Sequence, residues 1–167
     1  MDSPGDVPVT IRSFQPSDAE ACKKLYHEGL LGGQLAENDT GLDIDDIQAA
    51  YMSEPGNHFW VAENANHEIV GTIGVQHYEK GIGEIRRLRV RSDVRRRGIG
   101  SKLVETAVKF CSEQHYLKIT LDTFVDREPA IKLFQKFRFR HDRTRDFQGK
   151  QLLYFYLDIY GTDKKDE

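Results

Sequence analysis

Three consecutive arginines and a spaced pair of glycines, Arg95-Arg96-Arg97-Gly98-Ile99-Gly100-Ser101, stand at the mouth of an amphipathic helical stretch. Glycine there lets the backbone approach a ligand closely, and the N–H groups of a first helical turn have no partner inside the helix. With the helix dipole those donors favour a phosphate. Three guanidinium groups beside them add charge-assisted donors. Residue types and spacing together describe a pyrophosphate cradle. Two other cradles fail the same test. The phosphate loop of nucleotide hydrolases needs G-x-x-x-x-G-K-[ST], which no segment offers. The dinucleotide fingerprint needs a third glycine and repeated βαβ units, and here neither follows.

The remaining reactive residue types point less sharply. The six histidines lack H-x-x-x-H or comparable spacing, so no metal site is expected. Cys22 and Cys111 are far apart and predict a reduced pair, with Cys111 on an apolar helical stripe as a core residue. A formal charge of -3 argues against a general nucleic-acid binder, while basic clusters at Arg86–Arg97 and Lys132–Arg145 suit a small anion. No apolar run has the length of a membrane span, and the start lacks the regions of a signal peptide. The expectation is a cytoplasmic protein with no nucleic-acid or membrane partner.

Elements must position the cradle. Val7 to Phe14 alternates Val9 and Ile11 with Thr10 and Arg12 and predicts a strand. Pro16-Ser17-Asp18 opens a helix that Ala21, Leu25, Leu30 and Leu31 continue and Gly32-Gly33 breaks. Residues 34–56 are polar and acidic, predicting a loop with a short helix around Asp45 to Tyr51. His58 to Glu63 and Glu68 to Tyr78 predict an antiparallel pair turning at Asn64 to His67. Glu84 to Val90 is a further strand, but its apolar positions Ile85, Leu88 and Val90 break strict alternation. A one-residue β-bulge near Arg86 or Arg87 restores it and leaves backbone groups free to pair elsewhere. Gly98 to His115 is a helix with Leu103, Ala107, Phe110 and Cys111 on one face. Leu117 to Phe124 is a strand, Pro129 opens a helix carrying Ala130, Leu133, Phe134 and Phe137, and Gln151 to Tyr160 is a closing strand. This order predicts an α/β (α+β) fold with a mixed sheet. The 167 residues fit one domain, 1–167, with its core at about 8–160 and a frayed charged tail at 161–167.

Arg95, Gly98 and Gly100 meet the pattern [RQ]-x-x-G-x-[GA], preceded by the Leu88-x-Val90 strand and followed by an amphipathic helix. Further on, Ala130-x-x-Leu133-Phe134-x-x-x-Arg138-Phe139 is similar to A-x-x-L-Y-x-x-x-G-F. On these motifs the chain resembles the GNAT superfamily of N-acetyltransferases, closely over residues 84–139 and in element order elsewhere. The resemblance implies the acyl-CoA N-acyltransferase fold: a mostly antiparallel sheet of six to seven strands, splayed between two parallel strands and flanked by helices. It implies acetyl-CoA as cosubstrate, without a metal. Its pantetheine arm would pair with Leu88, Arg89 and Val90, and its pyrophosphate would rest on N–H groups from Arg96 to Ser101. Arg95, Arg127 and Lys136 would reach the phosphates, and Phe134 would complete the cofactor site.

For catalysis the resemblance implies Glu84, in Gly83-Glu84-Ile85, as general base for direct transfer of the acetyl group to a primary amine. Phe134 replaces the tyrosine that serves many members as general acid, and Tyr78, Tyr154 and Tyr156 stay open as donors. Arg127 replaces a common asparagine and Arg138 a common glycine. The acidic segment Asp39 to Asp46 falls where members build the acceptor site; it reads either as an attractor for a cationic amine or as a solvated loop. The acceptor would be a small-molecule, peptide or protein amine. Two functional classes follow: an active N-acetyltransferase, or a GNAT-like module that senses acetyl-CoA without catalysis. A homodimer through the aromatic strand Leu152 to Tyr160 is a further expectation of the resemblance.

Overall fold

The computed structural model describes residues 8–159. Seven strands form one sheet in the order β1-β2-β3-β4-β5-β7-β6. They are β1 (Val9–Ser13), β2 (His58–Asn64), β3 (Ile69–Glu79), β4 (Ile82–Val90), β5 (Lys118–Phe124), β6 (Arg140–Phe147) and β7 (Lys150–Asp158). The helices are α1 (Ala19–Glu28), α2 (Leu42–Asp45), α3 (Ile47–Tyr51), α4 (Ile99–Glu113) and α5 (Glu128–Lys136). Neighbouring strands run antiparallel except β4 and β5, which are parallel. The predicted mixed, mostly antiparallel sheet is therefore present. The tail and the boundary residues Val7 and Tyr160 lie outside the described residues.

Two cores form because the sheet is covered on both faces. On one face Ile99, Leu103, Val104, Ala107 and Cys111 of α4 pack on Val70, Ile73, Ile85, Leu88 and Val90. Gly71 permits this closeness, since a Cβ there would stand 2.9 Å from the Leu103 side chain. On the other face Tyr26, Ile44, Ile47 and Tyr51 pack on Phe14, Phe59 and Val61. The short helix expected around Asp45 to Tyr51 is two helices, because Asp46 leaves helical geometry (φ −146°) and caps the second by accepting from the Ala49 N–H.

The one strand the sequence did not predict is β6. Every residue from Arg140 to Asp146 is exposed, so an edge strand this polar carries no alternation to detect. It pairs with β7, which lies between β5 and β6 and so has both backbone edges occupied. The aromatic strand consequently offers no free edge for strand pairing with a second copy. His58 is half-buried against Trp60 and Phe110.

The spacing of Ile85, Leu88 and Val90 is explained by a bulge. Gly74 pairs with Arg86 and Thr72 with Arg89, so Arg87 and Leu88 together oppose Ile73. Arg87 takes φ +60° to make room. Before the bulge Ile85 points to the α4 core; after it Leu88 and Val90 do. Leu103 is fully buried at the centre of that contact. Leu103→Ala is expected to cost about 2–5 kcal/mol, read as a lower midpoint of denaturant unfolding with an unchanged m-value.

Candidate active site and cofactor cradle

Beta strands β4 and β5 are hydrogen-bonded only from Ile82 to Glu84 against Lys118 to Thr120. Beyond Glu84 the bulge turns β4 away, and the strands part like the arms of a V. A cavity of about 530 Å³ opens there, its wall including Glu84, Arg86, Arg87, Arg89, Asp122, Phe124, Arg127 and Phe134. At the far end of β4 a turn leads through Arg96 (φ +64°) and Gly98 (φ +84°) into α4.

The first backbone bond of that helix runs from the Lys102 N–H to the Gly98 carbonyl at 3.1 Å, so the N–H groups of Ile99, Gly100 and Ser101 precede the ladder. Lys136, at the end of α5, donates to Ser101 Oγ at 3.1 Å and adds a cation at the same mouth. Arg96, Arg97 and Gly98 are exposed there. Donors, charge and open backbone fit a pyrophosphate. Arg95 is placed otherwise: its guanidinium donates to the carbonyls of Val90 (3.1 Å) and Leu30 (2.8 Å), tying the end of α1 to the end of β4. The Gly29 carbonyl also accepts from the Val90 N–H at 2.9 Å, and Arg89 is buried with its guanidinium on the carbonyls of Tyr26 and Leu88. The backbone of Leu88 to Val90 is thus partnered within the chain.

Glu84 is half-buried on the cavity wall, its carboxylate 3.8 Å from the Arg86 guanidinium. Burial raises its pKa, the Arg86 charge opposes the rise, and Asp122 adds to it. Asp122 opens to the cavity, and its pKa is raised by desolvation against the pull of Arg86, Arg127 and Arg145. Phe134 is buried edge-to-face on Phe139 and has no proton to give. Of the tyrosines left open as donors, Tyr78 is an exposed residue near the end of β3. Tyr154 pairs with Asp122 across the sheet but has the Arg143 guanidinium 4.3 Å over its ring. Tyr156 stands opposite Thr120 with Lys118 over its ring. None of the three is on the cavity wall.

Sequence reasoning missed the role of Arg87. Its guanidinium is 2.6 Å from Asp39 and 2.6 Å from Asp43, and Tyr51 donates to Asp43 at 2.5 Å. The acidic segment is therefore held down by an internal cation, and these two carboxylates are spent on it. Burial alone would raise the Asp43 pKa, but hydrogen bonds from Arg87 and Tyr51 bring it to about 2. Arg127, expected at the phosphates, lines the cavity, donates to the Gln34 carbonyl at 3.2 Å and lies over the Phe124 ring. Its Nε is buried without a hydrogen-bond partner, an omission that costs about 1–3 kcal/mol.

Two outcomes follow for Arg87. Arg87→Met strands two half-buried carboxylates and is expected to cost about 2–4 kcal/mol in denaturant unfolding. Because the Asp43 pKa is depressed on folding, its contribution is complete above the ordinary carboxylate value of 3.8 and is lost as pH falls towards about 2. The melting temperature of the wild type should drop through that window more steeply than that of Arg87→Met.

Residues 22–139 match the sequence model of the Acetyltransferase (GNAT) family. Human N-acetyltransferase 8 is 35% identical over 103 residues, a match that covers 59% of this chain and 45% of that protein. The N-acetylaspartate synthetase of Xenopus tropicalis is 34% identical over 100 residues, covering 59% of this chain and 36% of that one. The chain thus spans less than half the length of these curated relatives. A Salmonella typhimurium protein solved with its cofactor acetyl-CoA shares the fold, with a TM-score of 0.76 at 18% identity over 90% of this chain and 94% of that one. The splayed seven-stranded sheet is the acyl-CoA N-acyltransferase fold. With the family match running through both arms of the V and the turn between them, this chain belongs to the Acetyltransferase (GNAT) family.

Proposed function

We propose that this protein is an acetyl-CoA-dependent N-acetyltransferase in which Glu84 is the general base. The observation that carries the reading is the placement of two features at opposite ends of β4: unbonded N–H groups that open α4, and a half-buried carboxylate where β4 and β5 part. The pyrophosphate of acetyl-CoA rests on the turn from Arg96 to Ser101, with Lys136 beside Ser101. The pantetheine arm enters the V along Leu88 to Val90, exchanging bonds with the carbonyl and N–H groups that Gly29 and Arg95 now hold. The acetyl group then lies in the cavity near Glu84.

Glu84 takes the proton from the acceptor ammonium, directly or through a water. The neutral nitrogen attacks the thioester carbonyl carbon and the C–N bond forms; the nitrogen gives its second proton to water, the C–S bond breaks, and coenzyme A leaves as thiolate. With phenylalanine at position 134, that thiolate departs without a tyrosine donor at this place and is protonated from solvent. A raised pKa makes Glu84 a stronger base than an exposed glutamate, which suits proton abstraction near neutrality.

The sensing alternative rests on Phe134 and is separated by rate. In the catalytic reading Glu84→Gln lowers kcat by about a hundredfold or more while the calorimetric Kd for acetyl-CoA is kept. An unchanged rate, or no thiol release above background with any amine, favours the sensor. Since the folded Glu84 is protonated at higher pH than an ordinary glutamate, kcat/KM should fall on the acid side above pH 4.5, and Glu84→Gln should lose that limb. Gly98→Ala strains a φ of +84° at the cradle. It should weaken acetyl-CoA about tenfold or more and reduce the rise in melting temperature that acetyl-CoA produces.

A further inference from the structure

The cavity beside Glu84 holds both signs of charge, and most of that charge is already spent. Arg87 is neutralised by Asp39 and Asp43, Arg89 is bonded to two carbonyls beneath the wall, and Arg86 bonds Gln76 and lies near Glu84. Two charged groups are left. Among the described residues, Arg127 has no carboxylate within ion-pair distance, one carbonyl partner, and a buried Nε with none. Asp122, on the opposing strand arm, likewise has no ion pair or side-chain hydrogen bond among the described residues, although both line the same cavity. Phe124, Phe147 and Leu152 give the same wall an apolar part, beside Thr123. No residue from Arg95 to Ser101 lines this cavity, so Arg127 stands apart from the phosphate cradle, on a wall it shares with Leu88, Arg89 and Phe134.

We propose that the acceptor is a small amine bearing a carboxylate, an amino acid with an apolar side chain, whose carboxylate is bound by Arg127. The proposal rests on the acetyl-transfer reading of this site. The Nη groups of Arg127, one of which already donates to the Gln34 carbonyl, supply charge-assisted donors to that carboxylate. Glu84 and Asp122 face the ammonium, so that Glu84 can remove its proton. Phe124, Phe147 and Leu152 receive the side chain. A simple amine or a diamine would leave Arg127 unpaired in a cavity closed by the cofactor, which disfavours it.

The test compares L-leucine, L-phenylalanine and L-methionine with their carboxamides and decarboxylated amines. Turnover is read by thiol release, and binding by calorimetry on the coenzyme A-saturated protein. The free amino acids should exceed their amides in kcat/KM, and in affinity, by about tenfold to a hundredfold, the effect of one charge-assisted pair. Arg127→Gln should collapse that ratio by raising KM for the acid and not for the amide, with acetyl-CoA affinity kept. Arg127→Lys should restore part of it, which also guards against a folding defect, as does circular dichroism of both variants. Equal use of acids and amides, or a ratio that survives Arg127→Gln, overturns the proposal. So does a loss of acetyl-CoA affinity in Arg127→Gln as large as the loss for the acceptor, which would return Arg127 to the cofactor. If nothing in the panel is acetylated, the acetyl-transfer reading fails, and the calorimetric preference for acids still decides what Arg127 binds.

Discussion

The rest of the molecule depends on the bulge at Arg87. By placing two residues opposite Ile73, it turns β4 away from β5 and reverses which side chains meet the α4 core. The pairing of β4 with β5 ends just before it, at Glu84, and the cavity opens where the two strands part. The same residue pins the other wall. Held at φ +60°, its guanidinium reaches across to Asp39 and Asp43, so the segment leading into α2 is fixed by the distortion that opens the site. Opening and lining the cavity are one event. An ion pair this enclosed is weak evidence of net stabilisation, but its loss leaves uncompensated charge. It therefore fixes the arrangement more firmly than it stabilises the fold.

Charge in the site is apportioned by how far each group is already committed. Arg95 looks like a phosphate ligand by sequence, yet it serves as a strut between α1 and β4. Asp39 and Asp43 look like an amine attractor, yet they are consumed by Arg87. The groups left for ligands are the exposed arginines and N–H groups of the turn, Lys136, and the pair Arg127 and Asp122. Glu84 lies on the cavity wall, where burial raises its pKa and the Arg86 charge opposes the rise.

Much of this was legible in the sequence because it is written in short-range patterns. The Gly98 to His115 stripe, the first strand, the hairpin at Asn64 to His67 and the closing strand are read from periodicity, and periodicity survives tertiary context. The bulge was legible too, since the interval from Ile85 to Leu88 to Val90 is incompatible with an unbroken strand that buries all three. The strand Arg140 to Phe147 was not, because an exposed edge has no buried face to impose alternation. The break between α2 and α3 at Asp46 was also missed, since a capping aspartate inside a polar stretch looks like any other loop residue.

What the sequence determined by itself was the fold class and the turn from Arg95 to Gly100, because helix starts, glycine conformations and apolar stripes are local. Only the tertiary structure decided which charged residues are still available. That depends on partners far apart in the chain: Arg87 with Asp39 and Asp43, Arg95 with Leu30, and Arg127 with Gln34. Charge is a property of a residue type, but its availability to a ligand is a property of what the fold places within reach of it.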